Sequence, residues 1–226
     1  MKKSITLVTG SNHTKEVLLE QLMDYLPADI EIKGYAFDEG IEGIVRDDLV
    51  ILSSGTVKED LINANIFDYN CDLIIAKRTI NFDYIDNIVY LPIGTNVLFV
   101  NDSAEPTYDS IEVLKKIGFD YLNYIPYYPG HQGGFDDIKI AITPGEVDKV
   151  PSHIEKVIDI KARIFDFETI IEILKKLDLL DERTNLYSQK YLKKIINIAK
   201  RLSQSNIAVN ELNKHLSLVI DGLNDG

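Results

Sequence analysis

Cysteine is almost absent from this 226-residue chain, and the one present, Cys71, has no partner for an internal disulfide. The same scarcity excludes a cysteine-rich metal site and fits a reducing, cytoplasmic compartment. The four histidines, His13, His131, His153 and His215, are scattered without metal-ligand spacing, so no metal is expected. Basic residues are the next shortage: 24 Lys and Arg stand against 36 Asp and Glu, a formal net charge of −12. A nucleic-acid-binding body needs clustered cations to neutralise phosphates, and this balance argues against one. Long apolar runs are missing as well. No stretch reaches the length of a membrane-spanning helix, so no membrane partner is expected. The apolar run behind Met1-Lys2-Lys3 stops at Gly10, too short for a signal-peptide core.

Familiar catalytic motifs are also lacking. The loop from Thr9 to Thr14 has neither the Gly-x-Gly-x-x-Gly fingerprint nor the Walker lysine pattern. No Ser-His-Asp arrangement is legible. Cys71 opens a predicted strand with no helix dipole or cation beside it, which suits a structural thiol rather than a nucleophile. The expectation is a binder, with no catalytic residue and no cofactor.

What is present is a steady alternation of apolar runs and helical patterns, in a chain that is 45% hydrophobic and 27% charged. Strands are predicted at Ile5–Val8, Ile30–Phe37, Leu49–Leu52, Asp72–Ala76 and Ile88–Leu91. A second series follows at Val97–Val100, Tyr121–Ile125 and Ile138–Ile142. Helical patterns intervene, from Val17 to Leu26, behind a Thr56/Glu59 capping box, and from about Glu105 to Ile117. Continuous apolar runs suit strands buried on both faces of a parallel sheet. The fold class expected is α/β. Two Rossmann-like lobes (flavodoxin-like or periplasmic-binding-like) with parallel sheets would be followed by a long C-terminal helix. The boundaries expected are 1–95 for the first lobe, 96–180 for the second and 181–226 for the helix.

In such sheets a ligand binds outside the carboxyl ends of the strands. Candidate ligand-binding residues at those exits are Ser11, Asn12 and Thr14, then Ser54 and Thr56, then Asn101 and Asp102 beside Ser103. Each Ser, Thr or Asn there also suits plain helix capping. Arg78 and Arg163 add a charged fork matched to a carboxylate. Tyr127 and Tyr128, between two prolines, are either a pocket wall or buried packing. Glu146 is a further candidate, or part of a tight turn after Pro144-Gly145.

From Leu192 a 3-4 repeat runs through Ile195, Ala199, Leu202, Asn206, Val209, Asn213, Leu216, Ile220 and Leu223. It predicts a helix about 50 Å long. Its seam would make a homodimeric coiled coil with Asn206 and Asn213 fixing register, or an ordinary amphipathic helix on its own domain.

Particular stretches carry a family resemblance. They are Leu7-Val8-Thr9-Gly10-Ser11 with Gln21-Leu22, Leu73 to Asn81, Val100-Asn101-Asp102, Pro126 to Gly130, Thr143 to Glu146 and Val157 to Ile160. Together they resemble the N-terminal sensory region of sigma-54-dependent transcriptional activators of the propionate-catabolism-regulator type, in its Firmicutes relatives. The last residues, Leu218 to Gly226, look like a helix leading into a PAS domain. The resemblance implies a two-lobed sensor that binds a small-molecule effector between its lobes. In the full-length protein it would act on PAS, AAA+ and helix-turn-helix domains and on RNA polymerase. Two other readings stand beside it: a small α/β enzyme acting on a carboxylate or sugar acid, and a ligand-free protein-interaction scaffold.

Overall fold

The structure is a computed structural model. It describes residues 3–68, 70–131, 133, 135–180, 185–193, 196, 197, 199–201 and 203. The chain divides into two compact units, Met1–Thr184 and Asn185–Gly226.

The first unit is α/β and holds two four-stranded parallel sheets. In the first, β1 (Ser4–Thr9) leads through α1 (Asn12–Tyr25) to β2 (Glu31–Ala36), and β3 (Leu49–Leu52) leads through α2 (Gly55–Asn63) to β4 (Asp72–Ile75). Their spatial order is β2-β1-β3-β4. The central strands β1 and β3 are buried almost end to end. Runs such as Leu49-Val50-Ile51-Leu52 therefore read as unbroken apolar stretches, because helices or loops cover both faces of a parallel sheet.

After β4 the chain makes a two-residue strand, β5 (Arg78–Thr79), and a one-turn helix, α3 (Asp86–Val89), before entering the second sheet. The fifth strand expected at Ile88–Leu91 is thus not a strand. Ile88 and Leu91 are buried, but a four-residue apolar run satisfies a buried helical turn as readily as a strand. The second sheet contains β6 (Asn96–Val100), β7 (Asn123–Tyr127), β8 (Ile140–Thr143) and β9 (Lys156–Asp159). Its order, β7-β6-β8-β9, repeats the winding of the first. The crossover from β6 to β7 is α4 (Ala104–Leu114), which widens into a π turn, Lys115–Phe119, with Gly118 at a φ of 107°. Only glycine takes such a dihedral cheaply. Strand β7 begins and ends two residues later than expected, and Pro126 lies inside it. That is compatible with a strand because β7 is an edge, where a missing N–H breaks no ladder on the open side.

From β9 the chain turns back. Strand β10 (Ile164–Phe165) pairs antiparallel with β5, setting Phe165 opposite Arg78 and Ile164 opposite Thr79. Helix α5 (Phe167–Lys176) follows, capped by Asp166, whose carboxylate accepts from Thr169 N at 2.8 Å. It packs on β4 of the first sheet, and Lys176 reaches Asp72 at 2.9 Å. The first lobe is therefore completed by residues from beyond the second.

In the second unit, residues 185–193 are helical, with Tyr187 and Tyr191 in ring contact at 6.3 Å. Of the expected seam, Leu192 and Ala199 are described and both are exposed. Ile195, Leu202 and everything from Asn206 to the PAS-like ending lie outside the described residues. Among the described residues no helix is long and apolar enough to cross a membrane.

Candidate functional site

The carboxyl ends of β1, β3, β6 and β8 open onto one cleft of about 560 Å³. These are the central strands of the two sheets, where chain direction out of the sheet reverses and loops splay apart to leave a crevice. That volume lies within the range of small-molecule sites.

Nine of the twelve residues singled out from sequence line this cleft: Ser11, Thr14, Ser54, Thr56, Arg78, Asn101, Asp102, Glu146 and Arg163. Capping and cleft exposure coincide at two of them. Ser11 Oγ accepts from Thr14 N at 3.4 Å, and Ser54 Oγ accepts from Val57 N at 3.3 Å. The cap of α2 is therefore Ser54, and Thr56 sits in the first turn rather than at the capping position expected for it. Helix α4 differs. Ser103 makes no capping bond and instead donates to Asp102 Oδ1 at 3.0 Å, while Asp102 N donates to Asn101 Oδ1 at 2.9 Å.

Three expected residues are elsewhere. The amide N–H of Asn12 is taken up by the Asp38 carboxylate at 2.9 and 3.0 Å. Its side chain turns along the helix to Glu16 at 3.5 Å. A carboxylate from within the chain thus already occupies that favourable end of α1. Tyr127 packs edge-on against Phe135 at 5.2 Å, in the cluster around Leu98 and Val100. Tyr128 lies against Tyr108 at 6.5 Å and His131 at 4.9 Å. Once Tyr127 belongs to β7, alternation along the strand directs it into the sheet's own packing, away from the cleft.

The two arginines line the floor of the cleft at the β5/β10 ribbon, Arg78 within β5 and Arg163 immediately before β10. The ribbon is fixed from both sides. From α1, Gln21 Nε2 donates to Phe165 O at 3.1 Å and Gln21 Oε1 accepts from Phe165 N at 2.7 Å. From α5, buried Thr169 receives Lys77 N at 3.0 Å and donates to Lys77 O at 3.2 Å. Neither guanidinium hydrogen-bonds or ion-pairs with any described residue. Burial, together with the positive charge of Arg163, pushes Arg78 down to about 9, partly offset by Asp102 and Asp109. Arg163 is likewise pushed down by burial, against the pull of Asp109, Asp102 and Glu105. Both remain cationic at neutral pH. Two like charges held together without a direct counter-ion form a site that an incoming anion stabilises.

Ser53 and Asn101, 3% and 5% exposed, complete the floor with the arginines. Asp60, Asp102 and Glu105 stand exposed at the mouth. Ser53, Asp60 and Glu105 were not singled out from sequence. Asp60 had one available signal: it is four residues after Thr56, hence on the same face of α2. On the side of the second lobe, Gly145 adopts a φ of 104°, and a Cβ placed there would lie 2.9 Å from His13 Nε2 of α1. The β8 loop therefore approaches the first lobe closely beside the cleft. Lys149 ion-pairs with Glu146 on this wall. Cys71 is remote from all of this. Its thiol donates to Asp68 O at 3.0 Å, and burial pushes its pKa up. Among the described residues no group of three or more His, Cys, Asp or Glu is placed to hold a metal ion.

Comparison with protein-family models, curated proteins and solved structures found no match for this chain.

Proposed function

We propose that this chain is a small-molecule-sensing module that binds an anionic effector, a carboxylate above all, between two Rossmann-like lobes of periplasmic-binding-like arrangement. The observation that carries the reading is the pair of arginines, Arg78 and Arg163, unpartnered among the described residues at a braced ribbon on the floor of the cleft. A guanidinium drawn largely out of water normally has a carboxylate partner, because desolvation without one disfavours the charged form. Here an effector would supply that partner.

The ribbon is where the chain passes between the two sheets in both directions. Binding there bears on the angle between the lobes, and a ligand shifts that equilibrium by its difference in affinity for the two arrangements. The stretches that resemble sigma-54-activator sensory regions, Leu73 to Asn81 among them, include this ribbon. On that resemblance the output is transcriptional: the C-terminal segment pairs in a homodimer and relays the change to PAS, AAA+ and helix-turn-helix domains of a longer cytoplasmic protein.

The test is calorimetric titration of small carboxylates into the wild-type chain and into Arg78→Ala and Arg163→Ala. Truncating one partner of a desolvated charge pair costs about 2–5 kcal/mol, so each variant should bind at least about thirtyfold more weakly. Unchanged affinity in both would remove the anion site and, with it, this function.

A further inference from the structure

The charges of the cleft are arranged by depth. At the floor are the two arginines, half-buried, beside the buried Ser53 and Asn101. At the mouth are three exposed carboxylates, Asp60 on α2 and Asp102 and Glu105 at the start of α4. None of the three forms an ion pair with a described lysine or arginine. A fourth lining carboxylate, Glu146, is engaged by Lys149. Asp60 and Glu146 are not among the charges felt by either guanidinium, whereas Asp102 is felt by both. Glu105 is felt by Arg163 as well, so negative charge lines the cleft from near the arginines to Asp60 on α2.

This distribution fits one class of anion better than the rest. A di- or tricarboxylate would satisfy the arginines with one group and press its remaining negative charges against the acidic mouth. A simple fatty or keto acid would leave the three carboxylates facing only water. A zwitterion satisfies both ends, with its carboxylate on the arginine floor and its ammonium group among the acids at the rim. An ammonium suits that rim better than a hydroxyl does, because it adds the attraction of opposite charges to the hydrogen bond that the carboxylate accepts from either. The chain's overall charge of −12 favours approach of the cationic end and opposes polyanions. The rim charges are in water, so their contribution is selectivity and entry, and the floor supplies the anchoring.

We infer that the effector is a zwitterionic amino acid or a close amino-carboxylate, bound carboxylate-inward between Arg78 and Arg163 with its amino group at the Asp60, Asp102 and Glu105 rim. This rests on the reading of the cleft as an anion site.

The experiment is a binding panel on the full chain by calorimetry. It uses the protein amino acids, 4-aminobutanoate and 5-aminopentanoate, with the hydroxy acid and the dicarboxylate of matching length for each, and citrate. The result expected is binding by one or more amino-carboxylates, with the matched hydroxy acid and dicarboxylate about fivefold weaker. In Asp102→Asn/Glu105→Gln the ratio of the two affinities should fall towards parity. A dicarboxylate or citrate that binds as tightly as any amino-carboxylate, and loses its binding in Arg78→Ala, overturns the zwitterion assignment and leaves the anion site standing. An unaltered preference in the double variant overturns the placement of the amino group. Failure of every panel member to bind takes down the zwitterion and the sensing reading together.

Discussion

In the first lobe, β1 and β3 empty into Ser11 and Ser54, whose hydroxyls cap α1 and α2 and face the cleft at the same time. In the second, β6 empties into Asn101-Asp102-Ser103, where Ser103 bonds to Asp102 and α4 starts without a side-chain cap. The two sheets share one strand order and one direction, so architecture does not account for the contrast. The side chains at equivalent exits do. The first lobe offers hydroxyls already engaged by helix termini; the second offers carboxylates and an open helix start. The arginines belong to neither four-stranded sheet: Arg78 is in the ribbon and Arg163 leads into it. One winding, used twice, has been given two chemistries, as expected where function resides in the loops and the strands supply a frame.

The likeness of the two sheets is most severely tested by their centres. Phe99 in β6 and Ile51 in β3 are both fully buried. Phe99→Ala should lower unfolding free energy by about 3–5 kcal/mol and Ile51→Ala by about 2–5 kcal/mol. Both should shift a single denaturant transition, since residues Met1–Thr184 form one compact unit. Two separate transitions, each moved by only one substitution, would break the comparison by showing that the lobes unfold independently.

A smaller contrast is expected between two glycines at strand exits. Gly145, after β8, has a φ of 104° and no room towards His13, whereas a Cβ on Gly10, after β1, would meet nothing nearer than Val57 at 4.0 Å. Gly145→Ala should cost about 1–3 kcal/mol, and Gly10→Ala should be nearly neutral by the same thermal or chemical melt. Equal costs would mean that the approach of the β8 loop to α1 is relaxed in solution.

The smallest effect is also the most direct measure of the difference between the exits. Ser54→Ala removes a cap and should cost about 1 kcal/mol. Ser103→Ala removes none and should stay within about 0.5 kcal/mol. A reversed ranking would place the working cap at α4 and undo the contrast drawn above.

Much of the frame is legible in the chain because it is locally encoded. The apolar runs at Ile5–Val8, Leu49–Leu52 and Val97–Val100 form the buried central strands, and polar residues at their ends begin the helices. Errors fall where local pattern is ambiguous. Ile88–Leu91 is as apolar as a strand but makes one buried helical turn, and Pro126 obscures an edge strand that tolerates it. Tyr127 and Tyr128 were unresolvable between pocket and packing, because alternation assigns a side chain to a face only once the strand's limits are known. Asn12 was placed correctly at its helix start, yet nothing nearby in sequence reveals that Asp38 closes that terminus.

By itself, then, the sequence determined the alternation of strands and helices, the residues at the strand exits and the shortage of cations that makes two arginines in one cleft conspicuous. Only the tertiary structure decided that Arg78 and Arg163 meet. Arg78 lies in a two-residue strand and Arg163 immediately precedes another, segments too short for any periodicity to announce, and the antiparallel pairing of those strands joins distant parts of the chain. Such pairing depends on non-local contacts, with Gln21 and Thr169 holding the ribbon from two different helices. The separation of charge by depth was decided in the same way. Floor and rim are properties of how the elements stack, and Asp60 and Glu105 look alike in sequence to any other acids on a solvated surface.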